Sequence, residues 1–183
     1  MILPSSRAVI GIARAYHFAA ARHVDQRRKG SAAEPYLNHL TEVAELIALA
    51  TAGADPDLVI AAVLHDTVED TSATLIEIED QFGSNVAGLV AEVTDDKSLP
   101  KQVRKDLQVE HARRASPGAQ MIKMADKISN LRSLANSPPK DWNHDRVLEY
   151  SRWAAKVVAG CREANAGLAG QFDAAFASLT ASK

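Results

Sequence analysis

The chain has one cysteine, Cys161, among 183 residues. That excludes a disulfide framework and any all-cysteine metal site, and it fits a reducing, cytoplasmic compartment. Aromatic residues make up only 5%, while 9 glycines and 7 prolines fall mostly between periodic segments. No apolar run approaches the ~20 residues that span a bilayer. Arg7 and Arg14 interrupt the N-terminal apolar stretch, so a secretion signal is not expected. Neither sign of charge dominates, because 21 basic and 23 acidic side chains leave a net charge of −2. So balanced a chain has no global pull toward a nucleic-acid polymer or an anionic membrane. A phosphate-bearing partner has to be held by a local basic cluster. What is present is 46% hydrophobic and rich in alanine, which reads as an all-α protein able to bury a real core. With no repeat or dividing linker, we expect a single domain over 1–183, with a core over about 6–168 and a C-terminal helix over about 169–181.

Periodicity and capping signals predict eight or nine helices. The first runs from about Ser6 to Asp25, and Gln26 to Pro35 is a flexible polar connection carrying Arg27, Arg28, Lys29 and Gly30. A second helix begins near Tyr36 and ends before Gly53. Asp55-Pro56 reads as an N-cap followed by proline at the first helical position. It opens a third helix, through about Asp70, that is apolar on nearly every face until His65 and is therefore central. Thr74 to Glu77 matches a capping box, and Gly83 matches a helix stop. Ser84 starts a helix through about Val93, and Thr94 to Pro100 is a polar loop. A charged helix, Lys101 to Arg114, is broken by Pro117-Gly118. Gln120 to Leu134 is helical, and a long helix from about His144 to Ala164 precedes a weaker terminal one.

Four titratable side chains, His65, Asp66, Glu69 and Asp70, interrupt the third helix at its C-terminal end. On a continuous helix, His65 lies over Glu69 and Asp66 over Asp70. A helix end emerging into water carries such residues at no cost. Buried carboxylates, by contrast, need a partner or a cation. Further donors stand in equally apolar contexts: His39 at the start of the second helix, and Asp126 within Met121-Ile122-Lys123-Met124-Ala125-Asp126. His39, His65, Asp66 and Asp126 make a two-nitrogen, two-oxygen set suited to Mn²⁺, Fe²⁺ or Zn²⁺. Spacing by itself does not establish that four-point site.

The order His39, His65-Asp66, Asp126 resembles the metal-dependent phosphohydrolases of the HD superfamily. More specifically, the chain resembles the (p)ppGpp hydrolase domain of the RelA/SpoT homologues. The segments that carry the likeness are Gln26-Arg27-Arg28-Lys29, Pro35-Tyr36-Leu37-Asn38-His39, His65-Asp66-Thr67-Val68-Glu69-Asp70-Thr71 and Ala125-Asp126-Lys127-Ile128-Ser129-Asn130-Leu131-Arg132. Two more blocks, Val93 to Pro100 and Arg146 to Tyr150, resemble the stand-alone small alarmone hydrolases. The likeness runs from roughly Ala13 to Leu168. It implies a mostly α-helical HD fold, a bound Mn²⁺, and removal of pyrophosphate from the 3′ position of ppGpp or pppGpp. By the same resemblance, His39, His65, Asp66 and Asp126 are the metal ligands, and Glu69 and Asp70 are the catalytic acidic pair. Arg28 and Lys29 match the basic pair near the substrate, and Asn130 and Arg132 the segment beside the nucleotide. The chain departs from the family at Leu40, where proline is usual; leucine fits a first helical turn equally.

The chemistry agrees with that resemblance. A divalent cation polarises a phosphoryl oxygen and acidifies water, and Glu69 and Asp70 stand one turn beyond the ligands to take the water's proton. Arg27, Arg28, Lys29 and Lys97 offer local neutralisation of phosphates, although the Arg27 to Lys29 run in isolation reads as a solvated loop. Asn130, one turn from Asp126, suits a contact with ligand, substrate or water. Tyr150 either stacks on a base or packs on the long helix. His23 reads as structural, His17, His111 and His144 as surface, Trp153 and Cys161 as packing residues, and Asp95 and Asp96 as a helix end. The expected protein is an alarmone hydrolase without synthetase activity, since the chain leaves no room for a second catalytic domain. Its partner is a small nucleotide, and a homo-oligomer is left open. Two alternatives stand beside it. One is the same fold acting on another nucleotide, such as the 2′-phosphate of NADPH. The other is a non-catalytic nucleotide sensor, against which the intact Glu69 and Asp70 argue.

Overall fold

The computed structural model describes the backbone of residues 4–181 and side chains over 6–180. The expectation of one domain over 1–183 thus includes residues 1–3 and 182–183, which lie outside the described residues. Among the described residues there is no strand, and one isolated antiparallel bridge joins Arg27 to Pro35. Nine helices have eight residues or more, as expected: α1 (Pro4–Arg22), α2 (Leu37–Ala50), α3 (Pro56–Leu64), α5 (Leu75–Phe82), α6 (Ser84–Val93), α7 (Lys101–Ala112), α8 (Pro117–Asn136), α9 (His144–Ala159) and α10 (Ala166–Ala181). A single-turn α4 (Thr67–Asp70) follows α3, and a 3₁₀ turn (Arg162–Ala164) precedes α10.

The centre is α3, in which every residue from Leu58 to Leu64 is buried. It packs against α1, α2 and α6, while α8 packs against α2 and α10. The caps are those that the sequence signals. The Asp55 carboxylate accepts from the Leu58 amide at 3.0 Å, and both halves of the Thr74–Glu77 capping box are formed.

Three boundaries differ from the sequence expectation. The third helix does not run through to Asp70 but breaks at His65-Asp66. The His65 ring donates from Nδ1 to the Ala62 carbonyl at 2.8 Å, and Asp66 sits at φ −98°, ψ −3° before α4 restarts the helix. Pro117-Gly118 opens α8 rather than breaking a helix. Ser116 caps it, and proline at the first position gives up only an amide that has no intrahelical partner. α9 stops at Ala159, short of Ala164, where Gly160 passes close to Ala112 and Arg113.

The 26–36 connection is pinned, not flexible. A Cβ on Gly30 would lie 2.3 Å from the Ser137 carbonyl, so only glycine lets the loop lie against the end of α8. The amides of Ser31 and Ala32 then donate to Pro138 O (3.2 Å) and Ser137 Oγ (2.9 Å). Arg28 and Lys29 are thereby held at a fixed place beside α8.

Candidate active site

Three segments far apart in the chain converge at the inner end of α3. The first turn of α2 brings His39, the α3–α4 break brings His65 and Asp66, and the middle of α8 brings Asp126. His39 Nε2 lies 3.5 Å from Asp66 Oδ2 and 3.3 Å from Asp126 Oδ1, and His65 Nε2 lies 3.1 Å from Asp66 Oδ2. One donor atom each from His39, His65 and Asp126 lies within 4.8 Å of the others.

Hydrogen bonds on the far side of each ring fix which nitrogen faces inward. His65 Nδ1–H is committed to the Ala62 carbonyl. His39 Nδ1 lies 2.8 Å from Ser129 Oγ, and that hydroxyl donates its own proton to Glu42 Oε2 at 2.7 Å. Ser129 therefore accepts from His39 Nδ1–H. Both rings present a bare Nε2 to the centre, and both Nε2 atoms are buried without a hydrogen bond. Each then faces a carboxylate oxygen, lone pair to lone pair, which is repulsive unless a cation lies between them. The donor set fits a divalent metal.

The electrostatics of the cluster say the same. Burial works against a charge on His65, yet the Asp66 and Asp126 carboxylates and the Ala62 carbonyl override it and hold the ring at about 9. A proton there substitutes for the cation. Burial likewise opposes ionisation of Asp66 and Asp126, but the histidines, together with Lys127 at Asp126, hold both well below the usual carboxylate range. Neighbouring side chains also donate to both carboxylates. Tyr36 donates to Asp66 Oδ2 at 2.5 Å, Asn130 to Asp126 Oδ1 at 2.6 Å, and Lys127 to Asp126 Oδ2 at 2.7 Å.

The two acidic residues of α4 stand in unlike environments. Burial first, then the Asp66, Asp95 and Asp70 carboxylates, push Glu69 up to about 7, against the Asp95 amide, which donates to Glu69 Oε2 at 3.0 Å. Arg104 Nη1 lies 3.6 Å from Glu69 Oε1. Asp70 is gripped from two sides, by Gln26 Nε2 at 2.7 Å and by Lys97 Nζ. Gln26 in turn accepts from His23 Nδ1 at 2.5 Å, and the His23 ring stacks on Tyr36 with centroids 5.3 Å apart. His23 is buried and positions the acid-holding glutamine, in keeping with a structural reading.

Two cavities adjoin this cluster and share Lys29, Tyr36, Glu69, Asp70, Arg104 and Gln108 in their walls. One, of about 330 Å³, is polar and reaches His65, Asp66 and Asp126. The other, of about 360 Å³, carries Arg28, Asn130, Arg146 and an aromatic row, Trp142, Tyr150 and Trp153. Tyr150 lies 5.8 Å from Trp142 and 5.3 Å from Trp153, ring to ring.

Most of the residues expected at the site are therefore brought together: Arg28, Lys29 and Lys97 on cavity walls, with Asn130 and Tyr150. Arg132 is not. Its guanidinium donates to Glu42 at 3.0 Å and to Gln171 at 3.1 Å, and it lines neither cavity. Two residues beyond Asn130, it is rotated by about 200° around α8 and faces the back of the His39–Ser129–Glu42 chain. Asp95 is more than a helix end, since its amide holds Glu69. Trp153 is more than packing, since it walls the larger cavity. Sequence reasoning also passed over Glu42, Ser129, Arg104 and Trp142. The spacing of Arg146, Tyr150 and Trp153 on one helix face was the available signal for the aromatic wall.

The His39–Ser129–Glu42 chain carries a direct expectation. Removing the hydroxyl with Ser129→Ala frees His39 Nδ1 and unlocks its ring orientation. Metal affinity should fall by about 10- to 100-fold, read by competition with a chromophoric chelator. Unaltered affinity would show that the ring is set by packing alone.

A helical bundle that gathers His39, His65 and Asp126, with Asp66 against both imidazoles, beside an acidic pair and a cavity has the donor set of a His-Asp divalent-metal domain. The chain belongs to the HD-domain family, whose profile matches residues 15–152. It is 47% identical over 165 residues to the guanosine-3′,5′-bis(diphosphate) 3′-pyrophosphohydrolase MESH1 of Xenopus tropicalis, covering 90% of this chain and 92% of that one. The Homo sapiens protein of the same name is 51% identical over 148 residues, covering 81% and 83%. The solved structure of a metazoan ortholog of SpoT, described as hydrolysing ppGpp, matches with a TM-score of 0.87 at 43% identity, over 91% of this chain and 93% of that one.

Proposed function

We propose that the protein hydrolyses the 3′-diphosphate of ppGpp and pppGpp, releasing pyrophosphate with GDP or GTP. His39, His65, Asp66 and Asp126 hold a divalent metal; their mixed imidazole and carboxylate donors suit Mn²⁺, Fe²⁺ or Zn²⁺, and the family resemblance favours Mn²⁺. The observation that carries this reading is the pair of bare, buried imidazole nitrogens facing two carboxylates beside an acidic pair. Relatives at about half identity over most of the chain bear that activity in their names.

When bound, the cation supplies Lewis acidity toward a phosphoryl oxygen and toward water. Glu69, poised near neutrality, accepts the proton of the attacking water. The water oxygen bonds to the phosphorus attached at O3′, the P–O3′ bond breaks, and O3′ takes up a proton as the two phosphates leave together. Asp70 is oriented by Gln26 and Lys97 as a second acceptor beside that water. Arg28, Lys29 and Lys97 neutralise phosphate charge at the rim, where charge-assisted bonds are strongest. The larger cavity takes the nucleoside, with Tyr150 and its tryptophan neighbours as the stacking wall and Asn130 joining that wall to Asp126.

The reading treats the chain as one HD hydrolase domain acting in the cytoplasm on a small nucleotide. Among the described residues, no helix is long and apolar enough to cross a membrane. The deciding experiment incubates metal-loaded protein with ppGpp, pppGpp and NADPH and identifies what is released. Pyrophosphate and GDP should appear from ppGpp. Orthophosphate from NADPH, with nothing from ppGpp or pppGpp, would overturn the assignment in favour of the other nucleotide.

A further inference from the structure

Two lysines stand one turn apart on α8 with opposite electrostatic surroundings. Lys127 is paired with Asp126 at 2.7 Å and lies over the Trp153 ring at 4.6 Å. Lys123 is only 8% exposed, yet among the described residues it makes neither a hydrogen bond nor an ion pair. Burial, and then the Lys127 charge, pull its pKa down further than the Asp95 and Asp126 carboxylates raise it. An uncompensated buried cation is costly, and an unbranched apolar side chain of the same length would fill the space without that cost. Lys123 lines the polar cavity, whose wall it shares with Arg104. Arg104 is partnered on one side only: its Nη1 lies 3.6 Å from Glu69 Oε1, while its Nε is buried with no hydrogen-bond partner.

We propose that Lys123 and Arg104 form an anion subsite on the wall of the polar cavity, and that its ligand is the diphosphate group. The inference rests on the function proposed above and names what holds the leaving group. Arg104 offers a planar fork suited to two phosphoryl oxygens, and Lys123 offers a point charge. The diphosphate gains negative charge as the P–O3′ bond breaks, so Lys123, without an ion pair, and Arg104, with Glu69 at 3.6 Å, stabilise it more after cleavage than before. The same subsite retains free pyrophosphate, which makes the product an inhibitor.

The test uses the metal-loaded protein at a buffered free-metal concentration, with metal content assayed after each titration. Lys123→Met and Lys123→Gln are compared with wild type for pyrophosphate inhibition of ppGpp hydrolysis and for melting temperature. The inhibition constant should rise by about tenfold or more, the worth of one charge-assisted contact. Metal content should stay unchanged, and Lys123→Met should melt at or above wild type, because a buried unpaired charge has gone. Pyrophosphate inhibition within about twofold of wild type in both variants, or a lower melting point with lost metal, overturns the subsite. Direct titration with pyrophosphate, followed by the fluorescence of Trp142 and Trp153, separates this proposal from the reading of function. Binding that needs Lys123 in a protein that leaves ppGpp intact keeps the subsite and removes the substrate.

Discussion

Asp66→Ala should yield a folded protein without bound metal and without turnover. Asp66 Oδ2 lies 3.5 Å and 3.1 Å from the inward nitrogens of His39 and His65, and it faces both rings at once. Its loss leaves two imidazoles and one aspartate, with Tyr36 deprived of its acceptor. The several kcal/mol that a bound cation contributes to a phosphoryl-transfer barrier correspond to a fall of roughly 10³-fold or more. Metal analysis and turnover, measured on the same sample, check this. A metal-replete and active Asp66→Ala protein would remove Asp66 from the ligand set.

Glu69→Gln should keep its metal and lose about 10²- to 10⁴-fold in kcat, the usual worth of a positioned proton acceptor. The amide preserves size and can still contact Arg104, but it cannot take a proton. The pH profile follows from the ionisation of Glu69 at about 7. Wild-type activity rises with pH through 7 as the carboxylate forms, and the variant's residual activity lacks that limb. Stability moves the other way. Below the ordinary glutamate value of 4.5 both folded and unfolded states are protonated. From there to about 7 the folded state keeps a proton that the unfolded state has released, so stability falls as pH rises. At pH values above that window the cost of the half-buried carboxylate is present in full, and Glu69→Gln should melt at a higher temperature than wild type. A variant that retains near-normal kcat would make Glu69 a structural residue.

The His-Asp cluster was legible because its members are polar residues in apolar helical contexts, in an order that resembles a known family. His39, His65, Asp66 and Asp126 needed no knowledge of packing to be noticed. What escaped was set by contacts across the fold. Glu42 and Ser129 are ordinary helix-surface types until α2 and α8 are laid side by side. Lys123 stands in the sequence only as part of the run before Asp126, and burial is what singles it out. Arg132 was misplaced for the opposite reason: it belongs to the resembling block, but helical rotation carries it away from Asn130. The break at His65-Asp66 was also invisible to periodicity, because both residues keep near-helical backbone angles. The caps at Asp55 and Thr74, being local, were read correctly.

The proposed ligands sit on segments that an unfolded chain would bring together only rarely, so a cation joining them would act as a removable cross-link. Opening the bundle requires α2, the α3–α4 elbow and α8 to part, and none can leave while the ion is shared. Global unfolding must then release the ion, and the free energy of unfolding grows with the logarithm of its free concentration, by about 2.7 kcal/mol at a hundredfold excess over Kd. On the proposed function, metal supply sets the stability of the folded chain as well as its catalytic competence.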